Sequence, residues 1–336
     1  MKARLAVRLA IGILASAIVS QAQTYTVTDL GVGISNGQNR SSAAGLNNLG
    51  QAAVTFSSTF NAYASMATLI SNGTRVSLGT FGPKDGSTAM AINNSGQVTG
   101  YDYLANRKAQ SQAFLYSSGK LTNITSASMF PFGSTATAIN DSGKVVGYAW
   151  PTGAIDHAFL YSGGKMTDLG TLGGGSTDTS VALGINDAGQ VVGDSTIGGQ
   201  SHGFLYSGGK MTDLGVPSGA TDSTASAINA NGEVIGEFFV GVTTHAARYS
   251  GGVWTDLGVN VTPTAINLSG QIIGNTGFNG GGVIYRNGKF VNLNTLIPSN
   301  SGFIITNAFA INESGQILCN ATTAGQLRAI LLTPVE

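Results

Sequence analysis

The sequence predicts an all-β fold, a seven-bladed β-propeller with four antiparallel strands per blade, on three observations. A turn motif recurs seven times at spacings of 38 to 47 residues. Each recurrence except the last is followed by a complete second hairpin of constant character. The last repeat lacks its final strand, and a segment resembling that strand stands near the N-terminus.

The motif is [AG]-[IL]-N-x-x-G-x-aliphatic, with its Asn at 47, 93, 140, 186, 229, 267 and 312. Around Asn140, the runs TATAI and KVVGYA flank Asn140-Asp141-Ser142-Gly143. Asn and Gly cluster where a tight turn needs a side chain that bonds its own backbone, or a positive φ. The flanking residues are β-branched and aromatic, as strands favour. The second hairpin pairs an aromatic-rich strand with one ending near D-L-G, as in AFLYSGGKMTDLG from Ala158 and GFLYSGGKMTDLG from Gly203. Two hairpins in about 45 residues match the size of one propeller blade.

After Asn312 only the apolar strand Leu327–Leu332 follows, whereas Thr24–Gly31 reads TYTVTDLG. The N-terminal segment is therefore expected to complete the last blade. A ring sutures its ends in this way, whereas an open solenoid caps them with atypical repeats. The Asn-motif arm, carrying Ser, Thr and Ala before its Ile, should be innermost, and the TDLG arm outermost. The tight turns then share one face of the ring. The longer connections share the other: 80–87, 125–134, 171–179, 216–223, 294–304, and the links 149–156 and 195–201.

Residues 1–22 read as a secretory leader, with Lys2, Arg4 and Arg8 before the apolar run Leu9–Val19 and small residues at Ser20-Gln21-Ala22. The propeller domain then occupies 23–336. No other stretch is long and apolar enough for a spanning helix, and arms of roughly 5–7 residues fall short of the about 9–11 that a membrane-barrel strand needs. The expected product is secreted, extracellular or periplasmic, monomeric and not inserted in a membrane. Charged residues make up 10% of the chain, with net charge zero, against about 25% in average domains. That excludes a basic footprint for nucleic acid. Cys319 is the only cysteine, so no intramolecular disulfide forms; it replaces a repeat glycine and reads as a packed strand residue.

With His157–Tyr161 (HAFLY), Thr167–Gly174 (TDLGTLGG) and the I-N-x-x-G turns, the chain resembles the HAF-repeat family of bacterial extracellular repeat proteins. The resemblance implies a secreted repeat protein and brings no activity, cofactor or catalytic residue with it. The intact His-Ala-Phe triplet occurs once.

Candidate sites follow from positions where the repeats differ. Eight residues after each Asn stand Thr55, Tyr101, Tyr148, Asp194, Glu237, Asn275 and Asn320. This chemically varied series is placed at the long-loop end of the second strand, as a binding rim would be. Tyr101, Tyr148, Trp150, Asp194, Glu237 and Asn275 are the binding candidates, for a glycan, a peptide or another extracellular protein. The aromatics, with Tyr103 and Phe239, are placed in or beside loops, where ring faces stack on sugars. Asp194 and Glu237 form an alternative acid/base pair for a glycoside hydrolase or lyase. His157, His202 and His245 open the third strands of three successive blades. The structural reading is a repeated strand-edge hydrogen bond to loop backbone, and the alternative is a metal site. No cofactor is expected. The leading expectation is a non-enzymatic binding or scaffolding protein. The others are a carbohydrate-active enzyme and a purely structural repeat.

Overall fold

The computed structural model describes residues 23–33, 39–58, 65–104, 111–153, 155–277 and 280–335. The expected leader, 1–22, lies outside the described residues. Seven four-stranded antiparallel sheets form the seven blades. Blades 1 to 6 span 40–77, 86–123, 134–168, 180–213, 222–259 and 261–292, each in simple sequential order. Blade 7 contains Ile304–Ile311, Ile317–Thr323 and Gln326–Pro334, and its outer strand is Tyr25–Asp29. Tyr25 pairs with Pro334 and Asp29 with Ile330. The N-terminal strand therefore closes the ring, as the split repeat requires.

Inner strands are small-residue strands because seven of them crowd one axis. Each carries a β-bulge at the same place, for example between Ala136 and Ala138, or Ala182 and Gly184. The second strand carries a glycine wherever the third carries an inward Phe. Gly100 pairs with Phe114, Gly147 with Phe159 and Gly193 with Phe204, and all three rings are fully buried. A Cβ at Gly147 would strike the Thr135 carbonyl and the Phe159 ring. Where Ile330 replaces the Phe in blade 7, Cys319 takes the glycine's place. Its thiol is fully buried, and burial pushes its pKa far up, so a packed strand residue is what it is.

The seven motif asparagines do more than shape their turns. Each side-chain amide donates across the blade boundary to the next asparagine's carbonyl. The chain runs Asn47 to Asn93, Asn140, Asn186, Asn229, Asn267 and Asn312, and back to Asn47, at 2.9–3.1 Å. The same amides accept from the backbone N–H four residues on, such as Lys144 on Asn140 at 3.0 Å. These buried asparagines form a closed belt on the tight-turn face.

At the other end the links between second and third strands are tighter than expected in blades 3 to 5. Pairing continues to Thr152–Ile155, Ile197–Gln200 and Val240–Thr243. In blade 4, Gly198 and Gly199 supply the two positive φ angles that such a turn needs. Tyr148, Trp150 and Phe239 are consequently strand residues beside tight turns, and Tyr101 and Tyr103 lie in the second strand of blade 2.

Candidate functional site

The eight-offset series lies within the second strand, and its hydrogen-bonded members reach the next blade. Three members clip the neighbouring inner strand by its bulge alanine. Thr55 Oγ1 accepts from the Ala89 N–H at 3.0 Å, and Asn320 Oδ1 accepts from Ala43 at 2.8 Å. Asn275 accepts from the Ala308 N–H at 2.7 Å and donates to its carbonyl at 3.2 Å. The other four make no such bond among the described residues. Tyr101 meets Tyr103 edge-on with a 3.3 Å hydroxyl contact, and Tyr148 meets Trp150 edge-on at 5.5 Å.

Asp194 and Glu237 sit on the adjacent blades 4 and 5, and Glu237 is turned toward Thr262 of blade 6. Burial pushes the Asp194 carboxyl up to about 6, opposed by a bond from Ser201 and assisted by Asp156. Burial also raises Glu237, opposed by the Thr262 hydroxyl. Pro263 holds the bulge-alanine position in blade 6 and has no N–H to offer, so Glu237 Oε1 remains buried without a partner among the described residues. Asp102, fully buried, is pushed up to about 6 by the same cause.

The three histidines bond a carboxylate instead of loop backbone. His157 Nδ1 meets Asp168 at 2.8 Å, His202 meets Asp213 at 2.9 Å and His245 meets Asp256 at 2.8 Å. Each aspartate's other oxygen accepts from the glycine two residues on, as Asp168 does from Gly170 at 2.8 Å. The D-L-G sequence thus fixes the end of the outer strand, and histidine ties the third strand to it. Blade 2 builds the same clasp from Gln112 and Asn123. Each histidine is held within its own blade, and no metal-holding group of three His, Cys, Asp or Glu occurs among the described residues.

A repeated serine, six residues before the motif Asn, carries a role that composition concealed. Ser180 Oγ accepts from the Ala158 N–H of the preceding blade at 2.8 Å and donates to the Gly170 carbonyl at 2.6 Å. Ser41, Ser87, Ser134 and Ser223 bond the equivalent third-strand amides. Five of seven blade interfaces are stapled in this way. The interfaces 5/6 and 6/7 have Val261 and Ile305 packed there instead, Ile305 standing seven residues before its Asn because blade 7 carries an extra bulge after it.

A wide cleft opens at one of those two interfaces, on the long-connection face between blades 6 and 7. It holds about 780 Å³ and is lined by Thr276, Asn292, Asn294, Ile297, Phe303, Ile304, Thr306 and Asn307, among others. Gly281 pairs with Thr276, the register that holds histidine in blades 3 to 5. With no side chain there, the clasp is missing and the space stays open. A Cβ at Gly281 would crowd the Ile305 carbonyl at 2.9 Å. Asn294 replaces the staple by pairing with both backbone groups of Ile305, at 2.8 and 3.0 Å. None of the lining residues is charged. Of the predicted binding residues, Asn275 alone touches this region, holding the inner strand beside Asn307. The connection 294–304 was legible as long; the glycine at 281 was the unread signal.

A groove of about 490 Å³ on the opposite face joins blades 7 and 1 near Asp29, Leu49 and Arg75. The belt of asparagines encloses about 260 Å³ on the axis.

No family model matches the chain, and no curated protein matches it. Solved structures do. The β-propeller domain of the Trilobed protease from Pyrococcus furiosus aligns with TM-score 0.59 at 11% identity, over 88% of this chain and 96% of that one. YCF48 bound to D1 peptide aligns with TM-score 0.54 at 10% identity, over 92% and 98%. A prolyl endopeptidase aligns with TM-score 0.53 at 11% identity over 84% of this chain. The likeness is one of fold. The chain spans 46% of that endopeptidase and 60% of TolB from Acinetobacter baumannii.

Proposed function

We propose that this is an exported, non-enzymatic binding propeller of the HAF-repeat kind, acting as a monomer and holding an uncharged segment of peptide or glycan in the cleft between blades 6 and 7. The observation that carries this reading is the cleft itself, lined by amides and hydroxyls together with Ile297, Phe303 and Ile304, with no charged lining residue. Amide and hydroxyl groups fix the orientation of a neutral polar chain, and apolar walls supply the area. Ile304, which lines the cleft, is 65% exposed and offers apolar area to a ligand. The propeller of YCF48 was solved with a D1 peptide, which makes a peptide the first ligand class to try.

The test is a screen of the purified protein on glycan and peptide arrays. Ile304→Ser and Asn307→Ala should then weaken the best hit at least tenfold with an unchanged melting temperature. If binding survives both and is lost in Tyr148→Ala, the site lies on the eight-offset arc instead.

A further inference from the structure

Arg286, on the third strand of blade 6, spends its whole guanidinium on the first residues of the closing strand. Nη1 donates to the Gln23 carbonyl at 3.1 Å. Nη2 donates to Gln23 Oε1 at 2.9 Å and to the Tyr25 hydroxyl at 2.6 Å. The guanidinium also lies 5.5 Å from the Tyr25 ring centroid, and that residue is almost wholly buried in the blade 6/7 core. Planar forks of this kind favour two oxygens at once. Both oxygens of Gln23 are engaged, while its Nε2 makes no hydrogen bond to any described residue.

The leader pattern places cleavage after Ala22, which makes Gln23 the first mature residue. Its new α-amine would carry a positive charge below about pH 8. That amine is two bonds from the carbonyl carbon whose oxygen Arg286 holds. Two cations so close repel, and each disfavours the other's charged form. An N-terminal glutamine has a chemical escape from this conflict.

We propose that the mature chain begins with Gln23 cyclised to pyroglutamate, seated on Arg286; this rests on the export reading above. The α-amine attacks the side-chain Cδ, the Cδ–Nε2 bond breaks, and ammonia leaves with the proton given up by the amine. No oxidant or reductant takes part. The product keeps both oxygens that Arg286 binds, loses only the nitrogen that binds nothing, and has no basic amine. The closing strand then starts with a neutral cap on a buried-side cation.

The experiment is intact-mass analysis of the full chain exported from a secretion-competent bacterial host. The expected species starts at Gln23, is lighter by one ammonia than the uncyclised chain, and resists stepwise N-terminal degradation until treated with pyroglutamyl aminopeptidase. A stable free Gln23 amine overturns the proposal while leaving export intact. A start at another residue overturns it through the cleavage position, and a cell-retained chain keeping residues 1–22 overturns the export reading as well. Gln23→Ala supplies a second readout. Its melting temperature should fall below wild type as pH drops from about 9 to about 6, because protonation then favours the unfolded chain. Arg286→Gln in that background should remove the pH dependence. Coincident curves for Gln23→Ala and wild type across that range overturn the proposal.

Discussion

Blade interface 3/4 and blade interface 6/7 are built from the same repeat, yet one is sealed and the other holds a cleft. At 3/4, Ser180 staples the third strand of blade 3 to the inner strand of blade 4, and His157 ties that third strand to Asp168. At 6/7 the staple position belongs to Ile305 and the histidine position to Gly281. Two substitutions, one to a hydrophobe and one to no side chain, remove both polar ties. Asn294 and Asn275 restore the backbone bonds from other directions. A repeat can thus leave one interface open while the belt of asparagines on the opposite face stays unbroken. The scaffold and the variable end are separate sets of residues on the same strands.

The closing strand gives the largest effect, because it seals interface 6/7 from outside. Tyr25 packs with Leu293, Leu296 and Ile330, and its N–H bonds the Leu296 carbonyl at 2.9 Å. Deleting Thr24–Gly31 bares an unpaired edge, the kind that templates association. The truncated protein should be largely aggregated or unfolded, read by size-exclusion chromatography and melting. A monomer that melts with the wild type would mean that closure by this strand contributes nothing.

Next in size are the polar ties themselves. Ser180→Ala orphans a buried N–H and a carbonyl, at a cost on the order of 1–3 kcal/mol. If Asn294 replaces the staple at 6/7, Asn294→Ala should cost about as much. Asn140→Ala and Asn267→Ala, one from each interface, should match each other within about 0.5 kcal/mol, since both amides serve the same belt. Urea melts of the four variants decide this. A much cheaper Asn294→Ala would break the equivalence of the two interfaces.

The architecture was legible because a ring must repeat its turns, and Asn140–Gly143 and its six counterparts state that geometry residue by residue. Closure was legible from the displaced TDLG of the N-terminus. The site was not, for reasons that are physical. Eight-offset residues such as Asn275 and Thr55 look variable, but a side chain facing the next blade varies with whatever backbone group it must meet. Ser180 and its counterparts are lost among a Ser- and Thr-rich composition, because serine's role depends on a partner about 20 residues back in the preceding blade. The histidines signalled a shared position, and only the register shows that Asp168 stands beside His157. Gly281 is one of 49 glycines, and its meaning lies in the side chain it does not have.

Two buried carboxyls on second strands, one in the eight-offset series and one beside it, make the fold pH-sensitive. Asp194, in blade 4, and Asp102, in blade 2, are both held near 6 by burial, against 3.8 for an ordinary aspartate. The folded protein therefore binds more protons than the unfolded chain between those values, so stability falls as pH rises from about 4 to about 6 and stays lower above. The expected loss is up to about 3 kcal/mol per carboxyl, from a rise of roughly two pKa units. Asp194→Asn and Asp102→Asn should each flatten part of that slope and raise the melting temperature at pH 7. A profile that rises across this window in the wild type would contradict the assignment.

The smallest effect tests whether the clasp or the staple keeps interface 3/4 shut. His157 and Asp168 are partly exposed, their side chains 24% and 33% accessible, so their pairing is screened by water and salt. Replacing His157 by Ala should cost below about 1 kcal/mol. Asp168 keeps its bond to the Gly170 N–H, and Ser180 keeps its bonds to Ala158 and Gly170, so the blade boundary holds. The cleft at 6/7 would then owe its opening to both changes together. Paired with Ser180→Ala, the histidine change should cost more than the sum of the two alone, since each tie positions the same third-strand end. The measurement is a double-mutant cycle on urea-derived stabilities. Strict additivity would mean that clasp and staple act independently, and that Gly281 alone opens the cleft.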